Sequence, residues 1–393
     1  ANVNYIIDAE PEMAGTEADV AYVAGQAYAI RALCYLNLAT WFSRAPYNSL
    51  TGASRWNEPC VPVYTTGTSI DTGGQPRESL RTVYGRIDQD IDRAIELLEK
   101  ARETTLAENN KSHINLYVAL GIKSRACLAE GDWDGAFKAA KRVIDEGGYA
   151  VGTKSDLTGG MNSLDKQNVM WGAGIQVADQ AGGYAGFFTH MDNKEGAYAK
   201  SAPKLISKQL YNRISATDIR RDWWDPSDKE SPYVSKKFSF ANVASFLGDY
   251  IYMRVEEMYF TAAEAALRLD DLKSARELMN TVMAERDPGY SANNRSGTLL
   301  GATTTTWTGS FLENILTHRR IELWGEYGRL FDVRRLGQGI DRRTDDGFSE
   351  ECISMMNRRN VNITKADTYD WVLTIPKAEL DANPNINEED QNP

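Results

Sequence analysis

Between residues 319 and 335, carboxylates and basic side chains lie close enough in sequence to form an acid/base site. The set comprises Arg319, Arg320, Glu322, Glu326, Asp332, Arg334 and Arg335. On a helix, Glu322 shares a face with Arg319 and with Glu326, so ion pairing within and between helices explains these residues more simply than catalysis does. We therefore expect them to stabilise the fold, and we predict no catalytic residue.

The remaining candidates for metal binding or nucleophilic catalysis lack the necessary spacing. The histidines (His113, His190, His318) and cysteines (Cys34, Cys60, Cys127, Cys352) form no HExxH, CxxC or mixed metal-ligand pattern. Asp341, Asp345 and Asp346 lack the ligand periodicity of a calcium loop, so a solvated loop is expected. No GxSxG, GxxxxGK[ST] or GxGxxG element follows a strand-like run. The sequence thus predicts no metal, no cofactor and no enzyme.

Aromatic and amide side chains on loops offer a different chemistry, which is ligand binding. They are Tyr47, Asn48, Trp56 and Asn57 in a long loop, Trp223 and Trp224 in an irregular segment, and Trp307 in a threonine-rich loop. A sugar ring packs a C–H face on an indole, and its hydroxyls pair with planar amides, carboxylates or guanidinium groups. These residues are the predicted glycan-binding site. The alternative for Trp223 and Trp224 is that they only pack the irregular segment onto the helices.

Composition narrows the possible partners and the possible location. The chain has 55 acidic and 44 basic residues, a formal charge of -11 and no basic run, so nucleic acid is not an expected partner. No stretch approaches the roughly 18 consecutive apolar residues of a membrane span. The opening ANVNYIIDAEPE has no basic segment followed by an apolar one. Two expectations remain open, namely a cytosolic protein or a protein whose export signal is absent from this chain.

Apolar residues at three- and four-residue spacing predict paired helices. The first two run from about Glu17 to Phe42 and from Arg77 to Lys100, and they flank a loop of roughly 35 residues, a length that is usually functional. A helical hairpin follows, with Leu116 to Ala129 and Trp133 to Ile144 on either side of a tight break. Shifting its sequence by 139 residues superposes large on large and small on small residues between Glu256 and Val282. Such a repeat is typical of stacked helix pairs and is similar to a degenerate tetratricopeptide repeat.

Regular periodicity is lost between about residues 149 and 250, where glycines and scattered aromatics predict an irregular insertion with short helices and a few strands. A last helix is predicted from about Ser310 to Tyr327, followed by a glycine-rich loop and an extended tail. The predicted architecture is therefore all-α, an α-α superhelix of tetratricopeptide-like repeats with a loop-rich insertion. The helical parts are about 17–148 and 250–335, the ligand-binding insertion is about 149–250, and the tail is about 336–393.

Several blocks, in order along nearly the whole chain, resemble the SusD/RagB family of outer-membrane nutrient-binding lipoproteins. They include Arg31-Ala32-Leu33-Cys34-Tyr35, Val83-Tyr84 through Leu97-Leu98, Gly131-Asp132-Trp133, Arg254 through Glu257-Met258-Tyr259 to Glu264-Ala265, Arg319-Arg320-Ile321-Glu322-Leu323 with Phe331-Asp332 and Arg334-Arg335, and Ile375-Pro376 with Asn383-Pro384-Asn385. The last two blocks are the most diagnostic, because helix propensity alone does not require them.

The resemblance implies one SusD-like domain over residues 1–393 that captures an oligosaccharide or polysaccharide and delivers it to a SusC-like TonB-dependent outer-membrane transporter. It also implies a cell-surface parent protein anchored to the outer membrane by a lipidated cysteine that, with its signal, is absent from this chain. Family members place ligand-contacting aromatics in the two loop regions that hold Trp56 and Trp223. Three alternatives stay open: nutrient-peptide binding of the RagB kind, a repeat scaffold for protein partners only, and a glycoside hydrolase with two carboxyl groups roughly 5–9 Å apart.

Overall fold

The computed structural model describes residues 2–69, 71–104, 106, 110–177, 186–340 and 368–393. The predicted solvated loop at Asp341, Asp345 and Asp346 lies outside this part of the chain, as does Cys352. The described residues form two compact units. Unit 1 contains residues 2–139, Leu330–Gly339 and residues 368–393, and unit 2 contains Ala140–Arg329 and Ile340.

Helices dominate both units. In chain order they are α1 (Asn2–Asp8), α2 (Glu17–Phe42), α3 (Leu80–Lys100), α4 (Leu116–Glu130), α5 (Trp133–Glu146), α6 (Lys154–Thr158), α7 (Phe187–Met191), α8 (Ala197–Ser201), α9 (Lys208–Tyr211), α10 (Val255–Arg268), α11 (Leu272–Ala284), α12 (Phe311–Glu322), α13 (Arg329–Arg335) and α14 (Lys377–Ala382). Short 3₁₀ segments lie at Glu10–Glu12, Ala101–Glu103, Ile219–Trp223, Tyr369–Trp371 and Glu388–Asp390.

Unit 1 is built on the packing of α2 against α3 and of α3 against α4. Thr16 begins α2 with a capping box, and Ser79 and Asn115 cap α3 and α4 by accepting hydrogen bonds from backbone N–H groups of the first turn. The cap at Ser79 explains why α3 begins at Leu80 and not at the expected Arg77. Apolar faces buried against neighbouring helices supply most of the stability of such helices.

The predicted helical hairpin repeat is present. The pair α4 and α5 and the pair α10 and α11 begin at positions that differ by 139 residues in both cases. Asp271 caps α11 by accepting from the Ser274 N–H, and Asp132 accepts from the Gly135 N–H at the matching turn. The residue before each aspartate has a positive φ, 78° at Gly131 and 63° at Asp270. The tight break predicted in the first hairpin therefore contains an aspartate that caps the next helix, and the second hairpin has a matching aspartate.

In unit 2, α10 packs against α11 and α12, and short elements complete the unit. The strands are β1 (Val169–Ala173), β2 (Trp224–Asp225), β3 (Val234–Ser235) and β4 (Tyr250–Arg254), and they form antiparallel pairs β1–β4 and β2–β3. The helix predicted to reach Tyr327 ends at Glu322, because Gly325 adopts a left-handed φ of 75° that breaks the helix.

The described helices and strands confirm the expected fold class, an all-α protein of tetratricopeptide-like hairpins with an irregular loop-rich segment. Within the described ranges, every helix is too short or too polar to cross a bilayer.

Candidate functional site

The first loop of the predicted site, in unit 1, turns back on itself around Asn48. The backbone of Tyr47 pairs with that of Ser54, and the Asn48 N–H donates to the Ala53 carbonyl at 3.0 Å. The Asn48 side chain is only 1% exposed, and its Oδ1 accepts from the N–H groups of Leu50 and Thr51. Asn48 therefore holds the turn from inside, and its predicted contact with ligand is corrected to a structural role.

Tyr47 lies half-buried against the turn between α4 and α5. Its ring centre is 6.2 Å from that of Trp133, in an edge-to-face arrangement. A Cβ atom added to Gly131 would lie 2.6 Å from Tyr47 Cδ1. The absence of a side chain at Gly131 thus allows the Tyr47 ring to approach the turn, and this positions the loop.

Replacing Gly131 with alanine is expected to lower the free energy of unfolding by about 1–3 kcal/mol, because a side chain is strained at positive φ and would also displace Tyr47. Urea unfolding measures the change. Gly85, within α3, is the matched control, since an added Cβ there meets no atom within 4 Å. Gly85→Ala is expected to stabilise the protein by about 0.4–1 kcal/mol. Equal changes in the free energy of unfolding for the two substitutions would mean that position 131 does not require glycine.

Trp56 is held at the amino-terminal end of α3 by its backbone. The Arg81 N–H donates to the Trp56 carbonyl, and the Leu80 N–H donates to the Glu58 carbonyl, each at 2.9 Å. These bonds satisfy helix N–H groups that have no partner inside the helix. The partly exposed Trp56 ring stands edge-to-face with Tyr84 at 5.6 Å, and the Arg81 guanidinium lies 5.8 Å from its centre. Trp56 is therefore both accessible and fixed in position.

Trp56 has polar neighbours suited to a hydroxyl-rich ligand, Arg81 in space and Asn57 and Glu58 along the chain. Asn57 and Arg81 are exposed. Glu58 forms an ion pair with Arg44 and lies 3.9 Å from Arg55. A planar polar group beside an indole is expected of a sugar site, and the Arg81 guanidinium lies in that position beside Trp56. Arg81 and Tyr84 had no local sequence signal, because only the fold brings α3 against this loop.

The second part of the predicted site, in unit 2, is not accessible. Trp223 and Trp224 are 2% and 1% exposed and belong to a core of Leu157, Met161, Phe188, Ile206, Leu210, Tyr211, Ile214, Phe238, Phe240 and Ile321. The Trp223 Nε1–H donates to the Leu157 carbonyl at 2.8 Å. Backbone geometry changes from 3₁₀ to extended between the two residues, so that both rings enter the core. Their predicted ligand role is therefore corrected to packing.

Trp307, also in unit 2, is partly exposed and is covered on one side by Arg213. The Arg213 Cζ lies 3.4 Å from the ring centre, which is van der Waals contact. Arg213 also lies 3.8 Å from Oε1 of Glu313. Neither Arg213 nor Glu313 was among the predicted site residues, since each is distant in sequence or on a helix that shows no binding pattern.

Of the ionisable residues that could have formed an acid/base site, Glu322 and Glu326 instead belong to a buried charge network in unit 2, whereas Asp332 and Arg335 pair with each other in unit 1. Glu322 is 0% exposed and lies 3.1 Å from Arg220, 3.0 Å from Arg254 and 2.9 Å from Arg286. Lys237 and Arg254 bind Glu326, and Arg319 binds Glu257. The expected ion pairing is present, although it connects distant segments more than neighbouring helix positions.

Burial alone would raise the pKa of Glu322, but Arg286, Arg254 and Arg220 hold it well below its ordinary value. Burial lowers the pKa of Lys237 to about 8, although Glu326 opposes the shift. His318 has a pKa well below its ordinary value, first because it is buried and then because Arg220 lies beside it. His318 is therefore neutral near pH 7. The charged groups of the network pair with one another, so we assign the network a structural role.

A separate cavity of about 550 Å³ lies in unit 1, and its wall is mainly apolar. It is lined by Tyr35, Leu38, Phe42, Val61, Ile375 and Ile386 among others, and none of the predicted site residues reaches it. Its guanidinium groups are already engaged, Arg31 with Asp90 and Arg77 with the Cys60 carbonyl. These charged groups are not available to orient a hydroxyl-rich ligand.

No set of three or more His, Cys, Asp or Glu side chains is arranged to hold a metal ion in the part of the chain that the structure describes.

Of the predicted ligand-binding residues, those that remain accessible are Trp56 with Tyr47 and Asn57 in unit 1, and Trp307 in unit 2.

Several solved structures from Bacteroides are similar to this chain. A SusD-like carbohydrate binding protein from Bacteroides vulgatus is 25% identical, with a TM-score of 0.76, and the match covers 99% of this chain and 81% of that one. A SusD superfamily protein from Bacteroides thetaiotaomicron is 21% identical, with a TM-score of 0.77 and coverage of 100% and 83%. The surface glycan-binding protein A of Bacteroides uniformis is 17% identical, with a TM-score of 0.66 and coverage of 99% and 82%. The last two likenesses concern the fold alone.

No curated protein matches the chain. The sequence model of the SusD family matches residues 192–393, which is more than half of the chain and includes the charged block and the terminal block that carry the resemblance. Together with the helical-hairpin fold, this match shows that the chain belongs to the SusD family, that is, SusD/RagB.

Proposed function

We propose that this protein binds an oligosaccharide or polysaccharide at the bacterial cell surface, with Trp56 as the main contact. The observation that carries the proposal is the accessible Trp56 ring, fixed by its backbone at the start of α3 and flanked by the exposed Asn57 and Arg81. The name of the similar structure at 25% identity, a SusD-like carbohydrate binding protein, supports the same ligand class.

In the proposed complex, a sugar ring packs its C–H face on the Trp56 indole, while Asn57 and Arg81 hydrogen-bond its hydroxyls. Tyr47, fixed against Gly131, adds a second aromatic contact from the same loop. The hydrogen bonds that hold the loop form without ligand, so little conformational entropy is lost on binding. The protein holds the sugar without changing it, and prolonged incubation is expected to produce no new reducing ends.

Replacing Trp56 with alanine is expected to weaken glycan binding at least about tenfold, which corresponds to about 1.4 kcal/mol. Calorimetry against a panel of plant, host and microbial glycans first identifies the ligand and then compares the variants. Trp41→Ala is the matched control, because Trp41 is an exposed tryptophan of unit 1 outside the site. Unchanged affinity after Trp56→Ala would exclude this site, and binding of peptides but no glycan would favour the RagB-like alternative.

Delivery to a SusC-like TonB-dependent transporter is the second part of the proposal, with the lipid-anchored parent protein held at the outer membrane. Family membership supports both. The test is co-purification of the tagged parent protein with a SusC-like transporter from detergent-solubilised outer membranes, combined with labelled-fatty-acid incorporation. Recovery of the parent protein without transporter or label would contradict delivery and anchoring, while leaving glycan binding intact.

A further inference from the structure

The carboxylate of Glu313, in the first turn of α12, uses only one of its two oxygens. Its Oε2 accepts from the Thr308 N–H at 2.6 Å, from the Thr308 hydroxyl at 2.8 Å and from the Gly309 N–H. Its Oε1 is shielded from solvent and accepts no hydrogen bond within the described residues. Glu313 is only 5% exposed. A buried carboxylate oxygen that accepts no hydrogen bond lowers the stability of the fold. Glu313 Oε1 can therefore be expected to accept a hydrogen bond from a ligand.

The nearest cation does not satisfy Oε1. Arg213 Nη1 lies 3.8 Å away, which allows Coulombic attraction but is too long for a hydrogen bond. Arg213 instead lies against the Trp307 ring at 3.4 Å, and its side chain is 36% exposed. Burial lowers the pKa of Arg213, although Glu313 opposes the shift, so its charge is only partly compensated. Among Arg213, Trp307 and Glu313, the Arg213 side chain is the one that can move, because it is exposed and its contact with Glu313 is long.

Three complementary groups therefore lie together in unit 2: an indole face, a guanidinium that donates hydrogen bonds and a carboxylate oxygen that accepts them. A guanidinium in contact with a ring directs its N–H donors sideways, along its own plane. A ligand that fits must offer an acceptor to Arg213 and a donor to Glu313 a few ångströms apart. Two neighbouring hydroxyls of a sugar provide both, because each hydroxyl donates and accepts.

We infer that Trp307, Arg213 and Glu313 form a second binding site for a neutral sugar residue, which Glu313 Oε1 and Arg213 hold through two adjacent hydroxyls. The choice of a sugar rests on the proposed function, whereas the site itself is independent of Trp56.

The test follows the indole N–H signals of the nine tryptophans in the ¹⁵N-tryptophan-labelled protein, with methyl glycosides of glucose, galactose, mannose and xylose added to saturation. Signals are assigned by single Trp→Phe substitutions. We expect the Trp307 signal to shift in the native protein. In Glu313→Gln, we expect the apparent Kd for that shift to weaken at least about tenfold, because the amide keeps an oxygen for Thr308 and Gly309 but places a donor where Oε1 was.

The outcomes of this titration distinguish the second site at Trp307 from the proposed site at Trp56. A shift of the Trp56 signal with none at Trp307 overturns the second site and leaves the proposed function standing. An equal Trp307 shift in Glu313→Gln overturns the assignment of Oε1, and shifts at neither tryptophan overturn both proposals. If Glu313→Gln fails to fold, Arg213→Gln tests the same site through an exposed residue, and the Trp41 signal is the internal control for nonspecific effects.

Discussion

Glu322→Gln is expected to lower the free energy of unfolding by about 3–5 kcal/mol, which is a large part of the stability of an ordinary domain. The carboxylate is fully buried between Arg220, Arg254 and Arg286. Removing its charge leaves three guanidinium groups facing one another with less compensation. An amide can also accept at only one of the two positions where Glu322 now accepts.

Urea unfolding measures this loss, and Glu277→Gln on α11 is the matched control. The Glu277 side chain is 66% exposed and lies 3.9 Å from Lys273, so its replacement should change stability by less than about 0.5 kcal/mol. Similar losses for the two variants would mean that the three arginines do not depend on Glu322.

The same carboxylate predicts acid sensitivity. Its pKa in the folded protein is far below the ordinary 4.5 because the three arginines outweigh burial, so the unfolded chain binds its proton first as the pH falls. The contribution of Glu322 is complete above about pH 4.5 and is lost progressively below it. The decline of native stability below pH 4.5 should be correspondingly shallower in Glu322→Gln.

Asp90→Asn is expected to cost about 3 kcal/mol or more through the buried pair that joins α2 to α3. Arg31 donates to both oxygens of Asp90, each at 2.7 Å, and the two residues are 4% and 1% exposed. Burial disfavours the charge of Arg31, but Asp90 raises its pKa above the ordinary value. An asparagine can accept from only one arm of the guanidinium and leaves a buried positive charge.

Asp92→Asn is the control for this substitution, because Asp92 lies two residues further along α3, is 58% exposed and pairs with Lys123. Urea unfolding should separate the two variants by at least about 2 kcal/mol. A loss confined to Asp92→Asn, or equal losses, would show that the Arg31–Asp90 pair does not stabilise the contact of α2 with α3.

The Arg31–Asp90 pair and the arginines around Glu322 show the structural role of the charged residues in the sequence blocks. Arg31, in the first block of the resemblance, anchors α2 to α3, while Arg254 and Glu322, in two later blocks, meet inside unit 2. The sequence indicated ion pairing within and between helices at Glu322, but it did not indicate which residues would be the partners. Arg220, Arg254 and Arg286 come from three separate segments, and no local spacing relates them to Glu322.

The amino-acid sequence by itself determined the long helices and the hairpin repeat, because these depend on interactions between residues within a few positions of one another. The 3.6-residue periodicity places α4, α5, α10 and α11, and a single aspartate starts the second helix of each pair. The family, too, was recognisable from ordered sequence blocks. The ligand roles of Trp56, Tyr47, Asn57 and Trp307, and the single domain over the whole chain, stay predictions.

Only the tertiary structure decided which tryptophans remain accessible. Trp56 and Trp224 look alike in sequence, since each lies in a loop beside charged and polar residues. The Trp56 backbone carbonyl is used by α3 and leaves its ring at the surface, whereas Trp224 is 1% exposed within an apolar core. Accessibility depends on what packs against a side chain from distant parts of the chain, and loops carry no periodicity from which those contacts could be read.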